Sequence, residues 1–138
     1  MILRSLIILG LVLVVCSKDD KLKCENLDVW KRSCRLSVEI YKYLSNCKDY
    51  GFKDQITRSS LSIGSNIAEG MEKDSNKDKI RFLNISEGSI AELITQIYIG
   101  IEIGYIEKDI GLNWKNELND TMKMIKGLKK SLKDNYAK

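Results

Sequence analysis

Neither proline nor histidine occurs in this 138-residue chain. Without proline nothing in the sequence forces a helix to break, so long uninterrupted helices are available to it. Without histidine the chain lacks the side chain most used for proton transfer near neutral pH, and the commonest metal ligand. The four cysteines, Cys16, Cys24, Cys34 and Cys47, show no C-x-x-C or other close metal-binding spacing. Their even number permits disulfides in an oxidising compartment, but a helical bundle with its own core does not need them. Cys34 falls on an apolar helical stripe and reads as a small buried hydrophobe. Beyond the N-terminal twenty residues, nothing alternates with period two for long enough to make a strand.

Hydrophobic residues make up 43% and charged residues 30%, a globular balance over a length that suits one core. The formal charge of +4 is too small alone to indicate a nucleic-acid binder. Its placement says more. Residues 115–138 carry seven lysines against Glu117, Asp120 and Asp134. A basic last helix can meet an anionic partner. Cations also collect at the C-terminal end of any solvated helix, where they complement its dipole.

The N-terminus stands apart. Arg4 precedes an apolar run at residues 6–15, too short to span a bilayer as a helix but matching the core of a secretory signal. Leu13, Val14, Val15 and Cys16 resemble a lipoprotein cleavage box, with Val15 where a small residue is usual. Cys16 is thus a candidate lipidation site. The alternatives are an uncleaved membrane tether, or a start codon placed too far upstream. The chain therefore divides into an extension, residues 1–21, and a domain, residues 22–138. The domain is cytoplasmic if the extension is a misplaced start, and exported or membrane-anchored otherwise.

Apolar spacing predicts four helices. Asn26 or Asp28 caps the first, whose stripe is Leu27, Trp30, Cys34, Val38, Tyr41 and Leu44. Phe52, Ile56, Ser60, Ile63 and Ile67 mark the second, with Gly70 as its C-terminal glycine. Ser75, with Asp78 three residues on, caps the third. That helix carries Leu83, Ile90, Leu93 or Ile94, Ile97 and Ile101 and stops near Gly104. After a turn at residues 109–111, the fourth carries Trp114, Leu118, Met122, Ile125, Leu128 and Leu132. Short links imply antiparallel neighbours, so the expected fold is all-α, an up-down-up-down four-helix bundle. Trp30, Trp114 and most tyrosines are expected in the core. The third helix also has Phe82, Ile85, Tyr98, Ile99 and Ile103 off its main stripe. A surface helix needs one apolar stripe, so the surplus points to contact between subunits.

The polar residues within these helices form a second pattern. Asn66 and Glu69 share a face of the second helix, and Ser89 and Glu92 repeat that spacing on the third. With Arg58 they compose either a site built on paired carboxylates or a buried polar network that sets helix register and subunit geometry. A di-metal bundle would need Glu-x-x-His motifs, and nucleophilic catalysis a suitable base. Both are missing. The network is the preferred reading, with no catalytic residue, metal or cofactor. Lys123, Lys126, Lys129, Lys130 and Lys133 are the candidate nucleic-acid contacts.

Several spaced elements carry a family resemblance: Leu27-Asp-Val-Trp-Lys31, Gln55-Ile-Thr-Arg58, Ser62-Ile63, Asn66-Ile-Ala-Glu-Gly70, Phe82-Leu83, Gly88-Ser89, Glu92-Leu93 and Gly104-Tyr-Ile106. In this order they resemble the four-helix bundle proteins encoded in 23S rRNA intervening sequences. Those proteins are related to the accessory variability determinant of diversity-generating retroelements. The resemblance covers roughly residues 26–132, and Ser86 stands where alanine is common. It implies a non-enzymatic homo-oligomer, a homopentamer, and for the retroelement branch binding to RNA or DNA and to a reverse transcriptase. The expected function is a self-associating scaffold that presents a basic surface to nucleic acid. The alternative is an exported or lipid-anchored helical domain with a structural role.

Overall fold

Ser75 shows how this sequence starts its helices. Its Oγ accepts a hydrogen bond from Asp78 N at 3.1 Å and donates to Asp78 Oδ2 at 2.9 Å. One orphan amide is thereby satisfied as the helix begins. Asp49 acts alike, its carboxylate accepting from Phe52 N at 3.1 Å. The computed structural model describes residues 21–135 and, ahead of them, two short strands. These are β1 (Ile7–Ile8) and β2 (Leu11–Val12), which pair antiparallel with Ile7 opposite Val12. A 3₁₀ turn at Lys23–Asn26 leads into α1 (Asp28–Tyr43), α2 (Tyr50–Met71), α3 (Asn76–Glu102) and α4 (Lys108–Asp134).

The helices close a cycle in which α1 packs on α2, α2 on α3, α3 on α4 and α4 on α1. Contacts between named residues fix the directions. Across α2 and α3, Gly100 lies by Phe52 and Gly70 by Phe82. Across α1 and α4, Tyr43 meets Trp114 edge-on at 5.2 Å, while Arg32 reaches Glu117 and Asp120. Lys129 on α4 reaches Glu87 on α3, whereas Gly111 lies against Ile97 and Ile101. Gly64 on α2 lies by Cys34, and Lys53 reaches the Ser45 carbonyl just after α1. Each neighbouring pair is antiparallel, so the expected four-helix bundle is the observed one. Ile40, Ile56, Ile67, Leu83, Ile90, Leu93 and Ile125 are fully buried at its centre. Each such side chain contributes roughly 1.5–3 kcal/mol through removal from water.

Hydroxyl residues share that interior. Ser33, Thr57, Ser59, Ser60, Ser86, Ser89 and Thr121 are buried. Most return the hydroxyl to a carbonyl of the preceding turn, as Ser33 Oγ does to Val29 O at 2.7 Å and Thr121 Oγ1 to Glu117 O at 2.9 Å. A hydroxyl satisfied by its own helix can face the core. This corrects the expected α1 stripe. The core face of α1 is Val29, Ser33, Leu36, Ser37 and Ile40. Val38 and Tyr41 are exposed, while Trp30 and Cys34 are half-buried.

Three boundaries also differ. Leu27, not Asn26 or Asp28, precedes α1, without a side-chain cap. Gly70 lies inside α2 and serves close packing instead of ending the helix, since a Cβ there would meet Phe82 Cβ at 2.8 Å. Residues 109–111 belong to α4. Gly104 does end α3, with φ at +83°. Tyr105 N donates to Gly100 O at 2.9 Å and Gly104 N to Ile101 O at 3.1 Å, a Schellman closure that favours glycine.

Candidate functional site

The polar pattern on α2 and α3 separates into a relay and three outliers. Asn66 Nδ2 donates to Ser62 O at 2.8 Å and to Ser62 Oγ at 3.0 Å. Ser62 Oγ lies 2.8 Å from Ser89 Oγ, and Ser89 Oγ donates to Ile85 O at 3.1 Å. With Ser89 donating to that carbonyl, Ser62 must donate to Ser89, and every hydroxyl then donates once and accepts once. Ser86 Oγ adds a second cross-helix bond, donating to Ile63 O at 3.0 Å. Such satisfied bonds fix the register of α2 against α3.

Arg58 is not part of this relay. It is exposed and donates to Asp54 Oδ2 at 3.1 Å on its own helix. Glu69 and Glu92 are exposed and, among the described residues, take no hydrogen-bond or ion-pair partner. The structure thus joins Asn66 and Ser89 through Ser62, a residue the sequence reading did not place in the network. Arg58, Glu69 and Glu92 remain at the surface of a single copy. Among the described residues no group of His, Cys, Asp or Glu is arranged to hold a metal ion.

Two apolar faces lie open beside this relay. The misassigned α1 stripe lines a groove of ≈ 630 Å³ between α1 and α2. Gly64 and Cys34 belong to its lining, with Trp30, Tyr41, Leu61 and Ala68, and Lys42 is the charged residue there. Burial pushes the Cys34 thiol up from its ordinary pKa, which disfavours the thiolate. The second face is on α3, where Ile85, Ile99 and Ile103 are 46–51% exposed. Their spacing puts them on one side of the helix together with Glu92. The surplus anticipated from sequence on α3 is therefore on the surface. The groove was missed because both α1 stripes have helical spacing, and the serines in one of them disguised the core face.

The α4 lysines form the third surface. Lys123, Lys126, Lys130 and Lys133 are exposed and recur at steps of three and four. Lys129 differs: it is 17% exposed and donates to Glu87 Oε2 at 2.6 Å and Asn84 Oδ1 at 2.8 Å. It ties α4 to α3 instead of standing free. Arg32 holds both Glu117, at 2.9 Å, and Asp120, at 3.4 Å, on the α1 flank. Acidic groups thus face α1 and basic groups flank α3. Lys115 lies 5.2 Å from the ring centroid of Tyr98, which is 44% exposed. Tyr98, one of the residues expected off the main stripe, belongs to this surface, while Tyr41, Tyr50 and Tyr105 are exposed on other faces, contrary to the expectation that most tyrosines lie in the core. Cys16, the candidate lipidation site, lies outside the described residues. Among those residues no helix is long and apolar enough to cross a membrane.

Residues 25–127 match the family described as 23S rRNA-intervening sequence protein. None of the curated proteins compared matches the chain. A crystal structure from Bacteroides thetaiotaomicron, described as a protein of unknown function from the S23 ribosomal protein family, is 30% identical. It superposes with a TM-score of 0.69, over 74% of this chain and 98% of that one.

Proposed function

This chain belongs to the 23S rRNA-intervening sequence protein family, and from that premise we propose that it is a non-enzymatic scaffold that self-associates and presents a basic face to RNA. The observation that carries the reading is the pair of open apolar faces on a bundle whose own core is already complete. Large exposed apolar patches mark interaction sites. The polar residues between those faces, Asn66 with Ser89 in the relay and Glu69, Glu92 and Arg58 at the surface, set the geometry of assembly. A closed ring, with five copies as the family resemblance implies, covers both faces on every copy.

Assembly also amplifies charge. A formal +4 per chain becomes roughly +20 in a ring of five, enough for binding driven by counterion release. Lys123, Lys126, Lys130 and Lys133 supply the phosphate contacts, and Tyr98 beside Lys115 offers a ring on which an unpaired base can stack. The test is native mass, together with binding to a labelled single-stranded RNA over a salt series. An assembly whose affinity falls steeply with salt, with a shallower slope after Lys123, Lys126 and Lys130 are changed to Gln, supports the reading. A monomer at micromolar concentration removes self-association, and an unchanged salt slope in the lysine variant removes the α4 contacts.

A further inference from the structure

The two apolar faces differ in shape and charge, and the geometry points to their filling each other: the α3 stripe of one copy seats in the α1/α2 groove of the next. This inference rests on the self-association reading and specifies its contact. The groove is concave, and its lining runs along α1 from Trp30 to Tyr41. The exposed α3 stripe runs from Ile85 to Ile103, and Glu92 divides it. Its C-terminal part, Glu92 to Ile103, is eleven residues, as is Trp30 to Tyr41, roughly 16 Å along a helix axis, so that part matches the groove in length.

Charge sets the direction. Lys42 stands at the Tyr41 end of the groove and is exposed. Glu92 is exposed within the stripe, with no partner among the described residues. Setting Glu92 against Lys42 carries Ile99 and Ile103 toward Trp30 and Ala68. The incoming α3 then runs antiparallel to α1.

Self-pairing of either face is poorer. Two concave grooves placed face to face leave unfilled space, which forfeits contact energy. Two Ile85–Ile103 stripes related by a two-fold axis near their middle bring the like-charged Glu92 carboxylates together, which opposes that pairing. A contact between unlike faces is heterologous, and heterologous contacts close into rings or continue as filaments.

The experiment uses the full chain in three forms: wild type, Leu61→Glu in the groove, and Ile99→Glu on the stripe. Leu61 and Ile99 are 48% and 49% exposed, so either change leaves the bundle core intact, which far-ultraviolet circular dichroism checks. Native mass spectrometry and sedimentation read the assembly. Each variant alone should be monomeric, with self-affinity roughly 100-fold weaker or more. Mixed in equal amounts they should give a heterodimer and nothing larger, because one retains only its stripe and the other only its groove. Independently, Glu92→Lys and Lys42→Glu should each weaken assembly roughly tenfold, and the double variant should recover it.

If wild type is itself monomeric, the self-association reading fails. If wild type assembles but either variant assembles equally well, that reading stands and this pairing of faces is wrong. Two monomeric variants that stay apart on mixing also overturn it, since a self-complementary face or another occupant of the groove behaves that way.

Discussion

Replacing Gly70 and Gly127 by alanine should move stability in opposite directions, although both glycines lie inside helices. At Gly127 the added methyl meets nothing within 4 Å. Only the helix-propensity gain acts there, so the substitution should stabilise by about 0.8–1 kcal/mol. At Gly70 the same gain is opposed by packing. The new Cβ would lie 2.8 Å from Phe82 Cβ and 3.3 Å from the Lys79 carbonyl oxygen. Neither atom is the free end of a flexible side chain, so α2 and α3 must separate there. Overpacking of this kind costs about 1–3 kcal/mol, leaving a net loss of up to about 2 kcal/mol. For a domain of this size 1 kcal/mol corresponds to roughly 4 °C in Tm. Urea unfolding followed by circular dichroism separates the two cases if the slope with denaturant is unchanged. A Gly70→Ala protein as stable as Gly127→Ala would refute the close approach of α2 and α3 at that point.

Lys129→Met should destabilise by about 2–3 kcal/mol, since it leaves Glu87 half-buried without its cation and with Oε1 already unpartnered. The double variant Glu87→Leu, Lys129→Met should recover most of that loss. Additive losses in the four-protein cycle would show the pair is not coupled. Ser86→Ala should cost about 1 kcal/mol through the lost bond to Ile63 O, and an unchanged urea midpoint would argue that this bond contributes nothing. Asp49 gives a pH dependence. The Phe52 amide, and then the Tyr105 hydroxyl at 2.9 Å, hold its carboxyl below the ordinary aspartate value. Its contribution is complete above the unfolded pKa of about 4 and fades as pH falls through the lower folded value. Asp49→Asn should therefore narrow the Tm difference between pH 6 and pH 3, and an equal difference in both proteins would contradict this.

Helix number, order and direction were legible in the residues, because stripes at steps of three and four must be buried and short links permit only antiparallel neighbours. The Ser75 cap and the Gly104 stop were equally readable, since each depends on local backbone chemistry. The apolar surplus on α3 was visible as well, being more than one buried face requires. The core face of α1 was not. Val29, Leu36 and Ile40 compete with Trp30, Val38 and Tyr41 at the same spacing, and polarity misleads where a serine hydroxyl bonds within its own helix.

The candidate site divides in the same way. Asn66 and Ser89 could be placed on helix faces by counting, but their connection through Ser62 required two helices to be brought together in register. Lys129 looked like its neighbouring lysines until α3 supplied Glu87. Local periodicity, capping and composition belong to a single segment, and the sequence alone determined them. Which of two equivalent stripes is buried, and which charge is consumed inside the molecule, depend on what the other helices present, so only the tertiary structure decided them.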